Sequence, residues 1–168
     1  MSNQEDSVPD ENGEVQAAGP EDGFPYAWVE GLLEVADRTL EARAKVRLLK
    51  GCAAAHYRSA KMAETVAPFA GNLEGFLAHL TQSWKWKISY DSSAGVVIAD
   101  ENKSSCVCPL ARGGARLSPI LCHCSEGFAE RMFAAVTGKT ARATVTHSVL
   151  RGDPSCVYRI ELSEAKSP

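Results

Sequence analysis

Apolar positions recur every three or four residues through the first half of the chain, and every two residues through much of the second. From Pro25, a residue suited to a first helical turn, Trp28, Leu32, Leu33 and the Val35/Ala36 pair keep helical spacing. Leu40, Ala44, Leu48, Cys52 and Ala55 carry a second helix from about Leu40 to Met62. Asn72 is placed as the N-cap of a third, Leu73 to about Ser83, with Leu73, Phe76, Leu77 and Leu80 on one stripe. The period then falls to two. Trp84, Trp86, Ile88 and Tyr90 alternate with Lys85, Lys87 and Ser89, the signature of a half-buried strand.

Asp91–Gly95 reads as a turn, Val96–Ala99 as the returning strand and Asp100–Lys103 as a second turn. Ser104–Leu110 completes a three-stranded meander. After a loop over Ala111–Pro119, a helix starts near Ser118 or at Ser125 and runs to Thr137. Leu121, Phe128, Met132, Phe133 and Val136 form its stripe, and Gly138 suits the C′ position. Strands over Ala143–Val149 and Cys156–Leu162 close the chain around an Arg151–Pro154 turn. The pattern predicts an α+β fold, N-terminal helices packed on a mostly antiparallel sheet in the order α-α-α-β-β-β-α-β-β.

Composition adds boundaries. Residues 1–24 hold seven acids and no Lys or Arg, between Gly and Pro. They read as a disordered acidic tail, residues 25–163 as a single ligand-binding-type domain, and 164–168 as a polar end. Taking the tail's seven negative charges from the net −3 leaves +4, too small an excess to predict nucleic-acid binding. No apolar run is long enough to span a membrane. The acidic N-terminus has no apolar leader core, so a cytoplasmic protein is expected.

The chemistry concentrates between Ser105 and Cys124, where Cys106/Cys108 and Cys122/Cys124 form two Cys-x-Cys pairs around His123. In a reducing compartment, clustered thiols point to metal ligation or catalysis before disulfides. On a strand, Cys106 and Cys108 would share a face. Cys122 and Cys124 fall at a helix start, where the backbone dipole favours thiolate. Together they are candidate ligands for zinc or an iron–sulfur cluster, with Cys156 and the histidines His123 and His147 as further candidates. Two other readings stay open: a reactive or redox-sensing thiol, and packed thiols without chemistry. Cys52 reads as a buried structural thiol, with His56 one turn on. Arg112, Gly113, Gly114 and Arg116 are a weak candidate phosphate cradle. Glu126 and Asp153 are possible acid–base groups with equally good uses as a helix-start acid and a turn residue.

The segments LCHCSEGFAERMFAAVTGK (121–139) and ARATVTHSVLRGDPSCVYRIEL (141–162) resemble the 4-vinyl-reductase, or hydrocarbon-binding, domain. They are also similar to the end of the L-2-amino-thiazoline-4-carboxylic acid hydrolases. The resemblance implies an α+β domain with an internal apolar pocket for a small apolar or heterocyclic ligand, and a homodimer. It also implies a structural zinc site, with Cys122 or Cys124 as one ligand and Cys156 as another. The remaining two ligand positions fall on Val145 and Ser148, so that site is incomplete unless Cys106 and Cys108 substitute. The expected function is small-molecule binding with a cysteine-rich metal site. The alternatives are a small-molecule hydrolase using a metal-bound water or the Cys122 or Cys124 thiolate, and an iron–sulfur or thiol redox sensor. No catalytic residue is assigned.

Overall fold

The computed structural model describes residues 23–113 and 117–164. Its helices are α1 (Phe24–Thr39), α2 (Ala42–Ser59), α3 (Met62–Val66), α4 (Leu73–Ser83) and α5 (Cys122–Thr137). Its strands are β1 (Lys87–Asp91), β2 (Val96–Asp100), β3 (Thr140–His147) and β4 (Val157–Ser163). The strands form one antiparallel sheet in the order β1-β2-β4-β3. The expected α+β class holds. The acidic tail and the polar end lie almost wholly outside the described residues, as do Gly114 and Arg116 of the phosphate-cradle reading.

Period two sorts the sheet into faces. Val97 and Ala99 of β2, Tyr158 and Ile160 of β4, and Ala141, Ala143 and Val145 of β3 point into the core. Ser89, Ile98, Arg159 and Thr144 lie on the other face. The alanines keep the core face low, and α5 lies on it through Ala129, Met132, Phe133 and Val136. Asn72 caps α4 as expected, its Oδ1 accepting the Gly75 N–H at 2.9 Å. Gly138 ends α5 in the left-handed region.

Four expectations need correction. Ser104–Leu110 pairs with no strand and passes into a 3-10 turn at Pro109–Gly113; the sheet position beside β2 is taken by β4. The second helix stops at Ser59, because Lys61 takes a left-handed conformation (φ 49°) before α3 begins. The inward face of α2 is Leu49 and Ala53, one residue out of phase with Leu48 and Cys52, which are exposed. The adjacent leucines and the alanine run made both phases apolar. On α1 only Leu33 and Ala36 are buried, which leaves Phe24, Trp28, Leu32 and Val35 as an exposed apolar stripe.

Two features fix how α5 sits. The first is Gly127, where α5 crosses α2. A Cβ there would lie 2.9 Å from the Cα and carbonyl oxygen of Lys50 and 2.9 Å from the Ala53 Cβ. The second is the outer edge of β3. A sheet edge exposes unpaired backbone groups, and here side chains occupy them. Glu130 Oε1 accepts the Ala143 N–H and Glu126 Oε1 the Val145 N–H, each at 3.0 Å. Lys50 Nζ donates to the Ala143 carbonyl and Arg151 Nη1 to the Val145 carbonyl, also at 3.0 Å. Lys50 is paired with Glu130 at 2.6 Å and lies 3.5 Å from Glu126, whose Oε2 also meets His123 Nδ1 at 2.9 Å.

A bulge in β3 between Val145 and His147 adds one residue to the strand. Val145 and Ser148 therefore both point inward, three residues apart, while His147 faces solvent. Among the described residues no helix is long and apolar enough to cross a membrane.

Candidate functional site

Between α5, the end of the sheet and the segment from Glu101 to Pro109 lies a cavity of about 450 Å³. That is within the roughly 300–1,000 Å³ typical of small-molecule pockets. Met62, Phe128, Ala129, Met132 and Val145 supply apolar wall, and Trp84 and Trp86 line one side. Trp86 stacks on Tyr158, ring centroids 6.0 Å apart and 6° from parallel. Lys85 is left-handed (φ 64°), so β1 begins only at Lys87, and the two tryptophans precede the ladder. The low alanine face of the sheet and the segment after Glu101, which joins no strand, together leave the space unfilled.

The structure brings four of the five candidate ligands, Cys106, Cys108, Cys122 and Cys156, to the wall of this cavity. Cys106 and Cys108 are half-buried and Val107 between them is more exposed, and all three line the cavity although their segment is no strand. Cys124 does not line the cavity; it packs in a second apolar cluster with Leu33, Leu49 and Ala53, against which Cys108 also packs, and its Sγ lies 3.9 Å from His56 Nδ1. All six cysteines are unpaired.

Burial opposes the thiolate character expected at the start of α5. Burial pushes Cys122 up, and pushes Cys124 and Cys156 up to about 11. It pushes Cys106 and Cys108 up as well. Burial also lowers the pKa of His56, the imidazole nearest Cys124. Desolvation outweighs the helix dipole here, and a neutral thiol beside a neutral imidazole is not an activated nucleophile.

The positions implied for the zinc site do gather. Cys122, Val145 and Cys156 all line the cavity, and the Cys122 thiol lies 3.0 Å from the Ser148 hydroxyl. Their chemistry does not fit: two thiols, one hydroxyl and one isopropyl group are not the thiolate-, imidazole- or carboxylate-rich set that zinc takes. Among the described residues no group of three or more His, Cys, Asp and Glu is placed to hold a metal ion. His123 and Glu126 belong to the β3 edge cover, and the Asp153 carboxylate accepts the Ser148 N–H at 2.7 Å as a turn residue.

Glu101 falls within the expected Asp100–Lys103 turn, and the structure buries it to 4% exposure. The signal was present: the inward phase of β2 runs Val97, Ala99 and then residue 101. Its N–H bonds to the Cys156 carbonyl at 2.9 Å, one step beyond the β2–β4 ladder. Its Oε1 accepts the Tyr158 hydroxyl at 2.9 Å, and both residues line the cavity. Burial raises the Glu101 pKa above its ordinary value of 4.5 despite the Tyr158 hydrogen bond. Burial and the Glu101 charge push the Tyr158 hydroxyl well above its usual range, so it stays a neutral donor.

A carboxyl raised on folding contributes stability that is complete below its unfolded value and is lost as pH rises through its folded value. Glu101→Gln, which keeps an oxygen for Tyr158, is therefore expected to melt higher than the native chain at neutral pH. That difference should shrink as pH falls through the raised folded value toward 4.5 and be nearly gone below it. Thermal scans from pH 4 to 8 check this, and a difference that grows on acidification would contradict the assignment.

No protein-family model matches the sequence, and no curated protein matches it; the resemblance to the 4-vinyl-reductase domain has no family match behind it. Solved structures do match. One is the trafficking protein particle complex subunit 3 from Naegleria fowleri, covalently bound to palmitic acid. It has 12% identity and a TM-score of 0.50, over 86% of this chain and 96% of that one. A second is the phenol-responsive sensory domain of the transcription activator PoxR with phenol, at 17% identity and TM-score 0.46, over 82% and 74% of the two chains. At these identities the likeness concerns the fold alone.

Proposed function

We propose that this chain is a small-molecule-binding domain whose ligand occupies the cavity between α5, the sheet and the Glu101–Pro109 segment. The carrying observation is the cavity itself: about 450 Å³, walled mostly by apolar and aromatic side chains with few polar groups. That lining selects a ligand with an apolar body. The trafficking subunit of similar fold, which holds palmitic acid, supports an apolar occupant. The hydrolase reading needs a thiolate or a metal-bound water. The cavity thiols are pushed up by burial, and among the described residues no group of three or more His, Cys, Asp and Glu is placed to hold a metal ion, so binding is the better-supported reading. A cytoplasmic setting belongs to the same proposal, since six free thiols persist in a reducing compartment.

The neutral fluorophore N-phenyl-1-naphthylamine tests the proposal. It is expected to bind with one site per chain and to gain emission on leaving water. Ala129→Leu, which fills cavity space from α5, should weaken binding by about tenfold or more while the far-ultraviolet circular dichroism is kept. No saturable binding, or equal binding to the variant, would overturn it. The implied homodimer is also part of the proposal, with the apolar stripe on α1 as the surface it would cover. A monomeric mass by light scattering at every concentration would remove that part.

A further inference from the structure

Among the polar groups lining the cavity, one is a buried carboxyl that the fold does not use up. Glu101 is 4% exposed and lines the cavity, and the Tyr158 hydroxyl holds its Oε1. The Cys156 thiol, a weak donor, is the other side-chain donor in reach. Among the described residues no Lys, Arg or His is within ion-pair distance of Glu101. A buried carboxyl with one strong partner is costly to keep. An isosteric apolar residue on the inward phase of β2 would pack there without that cost, so the group is placed for something other than stability.

We propose that Glu101, oriented by Tyr158, is the polar recognition point of the cavity, and that the ligand is a neutral apolar alcohol whose hydroxyl donates to the Glu101 carboxyl. This rests on the cavity being the binding site. A hydroxyl suits the carboxyl in either protonation state, donating to a carboxylate and both donating to and accepting from a carboxylic acid. An ammonium suits the site less well. It loses more hydration on entering an apolar cavity, and Lys103 lines the same cavity with the same charge. An anionic ligand would meet Glu101 itself. The aromatic side formed by Trp84, Trp86 and Tyr158 offers flat faces to the apolar body of the alcohol.

The test is competition against bound N-phenyl-1-naphthylamine with four probes of similar size: 2-phenylethanol, its methyl ether, ethylbenzene and 2-phenylethylamine. In the native protein the methyl ether, which lacks only the donor, is expected to bind about tenfold or more weaker than 2-phenylethanol despite being more apolar. The amine should also bind more weakly than the alcohol. Glu101→Leu should weaken 2-phenylethanol by about tenfold while leaving ethylbenzene within about twofold, and Glu101→Gln should retain most of the alcohol affinity. An ether that binds as well as the alcohol would overturn the inference, and this arm needs no variant to fold. Equal losses for alcohol and ethylbenzene in Glu101→Leu would also overturn it, by making Glu101 merely structural. An amine that binds tightest would replace the alcohol by a cation. If the fluorophore binds saturably but none of the four displaces it, the inference is overturned while the cavity reading stands; absence of saturable fluorophore binding removes both.

Discussion

Glu126→Ala is expected to destabilise the fold by about 3 kcal/mol, which for a chain of this size lowers the melting temperature by roughly 6–12 °C. The reason is the position of the carboxylate rather than its charge alone. Glu126 is 4% exposed, and its Oε1 is the acceptor for the Val145 N–H at the outer edge of β3. Truncation leaves that N–H buried without an acceptor, which costs about 1–3 kcal/mol. It also removes the partner of His123 and one of the two carboxylates near Lys50. Glu130 still holds Lys50 at 2.6 Å, so the loss stays below what an isolated buried ammonium would cost. Glu126→Gln keeps the acceptor and should lose about half as much. Chemical denaturation with hydrogen exchange at the Val145 amide measures both, and a loss under about 1 kcal/mol with unchanged Val145 protection would contradict the edge-cover account.

Gly127→Ala is the second large effect, and its sign is the informative part. In an exposed helix interior, Gly→Ala stabilises by about 0.5–1 kcal/mol. At Gly127 the new methyl would meet the Lys50 Cα and carbonyl oxygen at 2.9 Å. Those are backbone atoms and cannot rotate away, so α2 and α5 must separate and the core beneath them loosens. Overpacking of this kind costs about 1–3 kcal/mol, enough to reverse the propensity gain, and a net loss of about 1–2 kcal/mol is expected. Gly51→Ala on α2 is the internal control. A Cβ there meets nothing within 4 Å, so it should stabilise. Matched melts of the two variants moving in the same direction would show that the crossing is not as close as described.

Legibility in the sequence followed physical rules that can be traced residue by residue. Elements with a strong period and a local stop signal were readable: α4 between Asn72 and Ser83, α5 up to Gly138, and the β1–β2 hairpin around Asp91–Gly95. The phase of α2 was not, because Leu48 and Leu49 are adjacent and the alanines after them suit either face. The second cysteine pair is split: Cys122 lines the cavity with Cys106, Cys108 and Cys156, while Cys124 packs in the other apolar cluster. Their ionisation was misjudged, because a sequence displays the helix start and its dipole but not the burial that opposes it. Ser104–Leu110 alternates like a strand, yet pairing is decided by which strand reaches the sheet, and β4 takes the place beside β2. Glu101 was overlooked because an Asp-Glu-Asn-Lys run looks like a turn, although the alternation from Val97 and Ala99 already carried it inward.

The most direct measurement is a methyl spectrum of the chain carrying ¹³C-methyl methionine, recorded while N-phenyl-1-naphthylamine is added. The chain has three methionines. Met62 and Met132 line the cavity, and Met1 lies outside the described residues. Occupation of the cavity predicts that the Met62 and Met132 signals shift together and saturate at one equivalent. Saturable binding that leaves both cavity methyls unmoved would put the ligand elsewhere and contradict the assignment of this cavity as the functional site.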